Sequence, residues 1–119
     1  MTEKHLRNYA YLGDAVWELH VRIGTVELTN NARELHKLTT DMVKASFQAG
    51  LLAALEPVLS EEERDIARRA RNLPVPIARR GNQSEYRQAT AFEALIGWWH
   101  SHDKGRLEEI LEEVFTKKI

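Results

Sequence analysis

The chain has 119 residues, of which 43% are hydrophobic and 29% charged, with a formal net charge of −1 at pH 7. Length and composition describe one globular domain, and the near-zero charge argues against a molecule that is basic all over. The lack of cysteine excludes a disulfide framework and a thiolate zinc site, and no apolar run approaches the roughly 18 residues of a membrane span.

Apolar residues recur at helical spacing from the N-terminus: Leu6, Tyr9, Leu12, Val16, Leu19, Ile23 and Val26. They predict one amphipathic helix from about His5 to Leu28, closed by the Asn30-Asn31 break. The period resumes at Ala32 with Leu35, Leu38, Met42, Ala45, Ala49, Leu52 and Leu55. Thr39-Thr40-Asp41 reads as an N-cap, which predicts a short helix and then a longer one from Asp41 to Leu55, ended near Pro57. Ser60 and Glu63 form a capping box, and the acids Glu61-Glu62-Glu63 suit the positive end of a helix. That helix places Ile66, Ala67 and Ala70 on its apolar side and arginines on the rest, until Pro74 and Pro76 stop it. Residues 73–83 read as the longest irregular stretch. Asn82 with Glu85, or Ser84, caps the next helix, which runs through Tyr86, Ala89, Phe92, Leu95, Ile96 and Trp98-Trp99. Adjacent tryptophans lie about 100° apart on a helix, so both cannot face one core. Asp103 or Gly105 separates a last helix with Leu107, Ile110, Leu111, Val114 and Phe115 inward. No segment alternates as a strand does. The expectation is an all-α single domain spanning 1–119.

Charge is unevenly placed. Arg64, Arg68, Arg69, Arg71, Arg79 and Arg80 fall in one short stretch opposed only by Asp65. A local basic face of this kind binds phosphate even when the total charge is near zero. The N-terminal Met1-Thr2-Glu3-Lys4-His5 lacks the basic-then-apolar order of a signal peptide, so a cytoplasmic protein without membrane association is expected.

Three acids stand out. Asp14 and Glu18 are four residues apart on one helix face, and Gly13 directly precedes Asp14. Glycine costs a helix roughly 1 kcal/mol relative to alanine, which points to a close approach there. Glu93 is set among Phe92, Ala94, Leu95 and Ile96, with Gly97 nearby. A carboxylate in so apolar a segment needs a partner. One reading is a salt bridge to an arginine such as Arg87; the other is a metal ligand. If the two helices pack together, Asp14 and Glu93 can share a hard divalent cation, Mg²⁺ or in its place Mn²⁺. The five histidines do not form a convincing zinc cluster.

These segments carry a resemblance. Leu12-Gly13-Asp14-Ala15 and Phe92-Glu93-Ala94-Leu95-Ile96-Gly97 resemble the two catalytic signatures of the ribonuclease III endonuclease domain. Tyr9-Ala10-Tyr11, Leu35-His36-Lys37, Gln48-Ala49, Arg69-Ala70-Arg71-Asn72 and Tyr86-Arg87 extend the likeness over residues 6–115. The chain is most similar in pattern to the Mini-ribonuclease III family, which has no separate double-stranded-RNA-binding domain. The resemblance implies a dimeric helical fold and Mg²⁺-dependent hydrolysis of double-stranded RNA, with a role in maturing ribosomal RNA, the 23S precursor. It implies Asp14 and Glu93 as metal-binding catalytic acids and Tyr11 at the dimer interface; Glu18 is a further candidate beside them, as a helper through a metal-bound water. The wider ribonuclease III pattern has two more acids, where this chain has Ala10 and Thr90. With the resemblance, Arg69, Arg71, Arg79 and Arg80 become candidates for RNA contact, since duplex RNA is held through phosphates and 2′-hydroxyls. The competing expectation is a ribonuclease III-like RNA-binding module of a ribonucleoprotein that has lost catalysis.

Overall fold

The computed structural model describes residues 1–118, with side chains through Val114. Six α-helices follow one another: α1 (Glu3–Thr25), α2 (Ala32–Val43), α3 (Ala45–Leu55), α4 (Glu61–Arg71), α5 (Gln83–His102) and α6 (Lys104–Lys118). Short 3₁₀ turns at Glu56–Val58 and Ile77–Asn82 join α3 to α4 and lead into α5, and no strand occurs among the described residues. Phe115, expected on the inner face of α6, lies outside the described side chains; Leu107, Ile110, Leu111 and Val114 are buried as expected.

Helix α5 is the centre because its apolar residues run round the whole helix rather than along one stripe. Ala89, Ala91, Phe92, Ala94, Leu95, Ile96, Gly97 and Trp99 are all buried, the pattern of a helix covered on every side. Helices α1, α3, α4 and α6 supply the cover. Trp17 of α1 meets Phe92 of α5 edge to face, with ring centroids 5.2 Å apart, a geometry the ring quadrupoles favour. Trp99 is buried while Trp98 is half-buried against the His102 ring, so the two adjacent tryptophans do part company. The Trp99 indole donates to Glu63 Oε2 at 2.8 Å, and Arg106 donates to both Glu63 oxygens at 2.9 Å. Burial alone pushes the Glu63 carboxyl up. The Arg106 bonds, the Ser60 amide, the Trp99 indole and the Arg106 charge outweigh it and hold the group at about 2.

Several boundaries differ from the sequence expectation. α1 begins at Glu3, behind a capping box of Thr2 and His5, and ends at Thr25 rather than Leu28. Its buried face is Leu6, Ala10, Gly13, Val16, Trp17, Val21 and Thr25, while Leu19, Ile23 and Val26 are exposed. The apolar residues of α1 therefore cover two faces, and the periodic set merged them. The break between α2 and α3 falls at Lys44, whose ψ of 156° is extended, not at Thr39-Thr40-Asp41. Two buried side chains hold it there: Trp17 Nε1 donates to the Met42 carbonyl at 2.8 Å, and Gln48 Nε2 to the Val43 carbonyl at 3.1 Å. These carbonyls are left without intrahelical partners where α2 ends. Asp41 instead pairs with Lys37 at 3.1 Å. The Ser60–Glu63 capping box is present as read. Asn82 stands at the N-cap of α5 but makes no side-chain cap bond. Part of the stretch read as irregular, 77–82, closes as 3₁₀ turns.

Candidate active site

α1 and α5 cross where each carries a glycine. A Cβ placed on Gly13 would lie 1.7 Å from the Glu93 carbonyl oxygen and 2.9 Å from the Gly97 nitrogen. A Cβ on Gly97 would lie 2.0 Å from the Tyr9 carbonyl oxygen. Every one of these neighbours is backbone, so no rotamer change makes room. This contact is the reason for a glycine inside α1 despite its cost to the helix. Asp14 follows Gly13, and Glu93 stands one turn before Gly97 on the same side of α5. Backbone contact at the glycines thus brings the two carboxyls close enough to share a hydrogen bond.

Asp14 is exposed and Glu93 half-buried. Burial pushes the Glu93 carboxyl up to about 8; the charge of Asp14 and the carboxyl–carboxyl hydrogen bond add to the rise, and the Gln48 amide opposes it. The Glu93 carboxyl so placed does not ionise easily unless a positive charge joins it. Gln48 is 1% exposed. Its Oε1 is a buried oxygen without a hydrogen-bond partner among the described residues.

The other sequence-derived candidates are distributed as follows. Glu18 bonds Arg22 at 2.9 Å and lines neither of the cavities beside Glu93. Arg87 does not pair with Glu93; it donates to the carbonyls of Arg71 at 2.7 Å and Leu73 at 3.2 Å, tying the end of α4 to α5. Arg71 is held by Glu56 at 3.3 Å, and Arg69 donates to the Met1 carbonyl. Arg79 and Arg80 are exposed in the 3₁₀ segment, and Arg79 lines a cavity with Glu93. Tyr11 is 85% exposed, which excludes a core role, and it lines a second cavity with Asp14. Ala10 and Thr90, at the positions of the wider family's extra acids, also line that cavity. Among the described residues no group of three or more His, Cys, Asp or Glu is placed to hold a metal.

Three residues near the acids were not singled out from sequence as site residues: Gln48, Arg7 and Lys44. Gln48 had a readable signal, being the one amide within the otherwise apolar Phe47–Leu55 run. Arg7 and Lys44 had none, because only the packing of α1 and α3 about α5 brings them to the site.

The ribonuclease III domain, as a sequence family, matches residues 7–104. A Mini-ribonuclease 3 of Gloeobacter violaceus is 47% identical over 106 residues, which cover 89% of this chain and 78% of the relative. The chain belongs to the Mini-ribonuclease III family. A Mini-ribonuclease 3 of Desulfitobacterium hafniense is 41% identical over 113 residues, covering 92% of this chain and 69% of that protein. The X-ray crystal structure of a Fusobacterium nucleatum protein superposes with a TM-score of 0.82 at 31% identity, covering 92% of this chain and 91% of the other. Membership in the Mini-ribonuclease III family brings the coarse activity of a ribonuclease III-type endoribonuclease. It also accounts for the helical domain.

Proposed function

We propose that this chain is a Mg²⁺-dependent endoribonuclease that cuts double-stranded RNA as a homodimer, and that it matures ribosomal RNA, the 23S precursor, in the cytoplasm. The observation that carries the reading is the juxtaposition of Asp14 and Glu93 at the glycine crossing. The family's metal fits these residues. Two carboxyls brought together at the helix crossing make an oxygen-only donor set. Mg²⁺ suits a site with one or two carboxylates, because it keeps several waters and takes substrate phosphate oxygens as further ligands. Asp14 and Glu93 are the residues that hold it, and Mn²⁺ suits the same donors. Bound there, the ion supplies Lewis acidity toward the phosphodiester and a water of lowered pKa. The protein's own part is to fix the two carboxyls on rigid helices. The exposed Arg79 and Arg80 face the RNA backbone, whereas Arg69 and Arg71 are engaged within the chain.

The homodimer rests on a second observation. Tyr11, Leu19 and Ile23 on α1, and Val26 at its C-cap, are all more than half exposed. Their spacing places them on one face. Tyr11 connects that face to the acids, since it lines a cavity with Asp14 and Glu93. A two-fold pairing through this face gives one acid pair per subunit and so one for each strand of a duplex. The test is incubation of the purified chain with a long RNA duplex, with and without Mg²⁺. Discrete products that need Mg²⁺ are expected. Binding without products under any divalent cation would instead favour the non-catalytic module, which the missing acids at Ala10 and Thr90 motivate.

A further inference from the structure

Glu93 stands on the wall between two open cavities. The larger, of about 500 Å³, reaches toward α3 and is lined by Lys44, Ser46 and Arg79. The smaller, of about 220 Å³, reaches toward α1 and is lined by Arg7, Tyr11 and Asp14. Tyr86, Thr90 and Glu93 line both. The two cavities adjoin along these three residues and are read together as one trough, with Arg7 and Asp14 lining one part of it and Lys44 and Arg79 the other.

We propose that this trough is the path of the RNA strand being cut. Arg7 at one end, and Lys44 with Arg79 at the other, hold the phosphates on either side of the one attacked. The proposal rests on the endoribonuclease reading above and says which of the chain's cations contact the scissile strand. Two acids alone repel a phosphodiester. Cations on both sides offset that repulsion without competing for the metal position, because they flank the acids and form no ion pair with them. These three cations also have charge to offer. Arg79 makes no ion pair among the described residues, Lys44 approaches Asp41 only at 3.9 Å, and Arg7 donates to a neutral group, the Pro74 carbonyl, at 3.3 Å. By contrast Arg68, Arg71 and Arg106 are neutralised by Asp65, Glu56 and Glu63. The first turn of α3 opens on the larger cavity, and its N-cap, Lys44, makes no side-chain cap bond. Its free N–H groups add to the attraction for phosphate. Glu85 also lines that cavity, so Lys44 and Arg79 stand there with two acids, Glu85 and Glu93. The contacts are to phosphate, so the trough is indifferent to base sequence.

The experiment measures binding of a fluorescent RNA duplex to the full chain over a series of KCl concentrations, in EDTA so that nothing is cut. Each phosphate contact contributes roughly 0.7–0.9 to the slope of log K against log salt. Arg7→Gln, Lys44→Gln and Arg79→Gln are each expected to weaken binding roughly fivefold and to lower the slope by about one contact, and the triple variant by about three. Arg68→Gln is expected to leave affinity and slope at the wild-type values. Arg7 also touches Pro74, so Arg7→Lys serves as its companion: it keeps the charge and restores the slope. If the wild type cuts duplex RNA and the triple variant retains the wild-type slope, the trough assignment is overturned and the enzyme reading stands. If the wild type neither binds nor cuts duplex RNA, the enzyme reading falls and the trough falls with it.

Discussion

Replacing Gly13 with alanine tests whether the glycine crossing builds the site. The new Cβ would start 1.7 Å from the Glu93 carbonyl oxygen, and ordinary contact begins near 3.4 Å. The two helices must then move apart by roughly 1.7 Å, because neither atom sits on a flexible side chain. A radial gap of only about 0.5–1 Å already forfeits a quarter to a half of each dispersion contact, and α1 on α5 is the most extensive helix pair of the fold. Overpacking a core by a methylene costs about 1–3 kcal/mol where side chains can adjust. With backbone on both sides the cost falls at or above the top of that range. Alanine's better helix propensity returns about 1 kcal/mol. The net loss is about 2 kcal/mol or more, or a fall in Tm of roughly 8 °C. Asp14 rides on the displaced helix, and misplacing a catalytic group by about 1 Å costs on the order of 100-fold in rate. Gly50→Ala is the internal control. It lies inside α3 with nothing within 4 Å of the added Cβ, so it is expected to stabilise by up to about 1 kcal/mol. Urea or thermal melts with a duplex-cleavage assay decide the matter. A Gly13→Ala protein as stable and as active as wild type would refute the crossing as the organising contact.

Asp14→Asn and Glu93→Gln are each expected to abolish cleavage while RNA binding persists, and to weaken Mn²⁺ binding measured by electron paramagnetic resonance; near wild-type cleavage by either would sink the site assignment. Ile23→Lys, on the exposed α1 face, is expected to turn a dimer into a monomer in sedimentation experiments with the monomer's helical content unchanged. Glu63 is expected to make acid stability steep. Its carboxyl is held at about 2 in the fold against an ordinary 4.5. Its stabilisation is therefore fully present above about pH 4.5 and is lost as the pH falls toward 2, and at 1.36 kcal/mol per pKa unit it amounts to roughly 3 kcal/mol. Glu63→Gln should be less stable at pH 7 and should lose much of the pH dependence between 4.5 and 2; an unchanged acid-unfolding curve would count against the Arg106–Glu63–Trp99 network.

Local chemistry wrote much of this protein in its sequence. The capping box at Ser60 and Glu63 is readable because its bonds join residues three apart. Asp14 and Glu93 were legible as a pair through the motifs around them, and Gly13 through its cost to a helix. What the tertiary structure alone decided depends on groups far apart in the chain. The α2–α3 break sits at Lys44, not at Thr39-Thr40-Asp41, because Trp17 and Gln48 take the carbonyls of Met42 and Val43. The burial of Trp17 in place of Leu19 and Ile23 was hidden because α1 has apolar residues on two faces, and periodicity does not say which of them meets α5. Sequence left Glu93 with two partners, Arg87 or a metal; the structure sends Arg87 to the carbonyls of Arg71 and Leu73 and leaves Glu93 facing Asp14. Residue types and local spacing state which chemistry is available. Only the backbone contact of Gly13 with Gly97, across more than eighty residues of chain, decides that two carboxyls meet and which cations stand on either side of them.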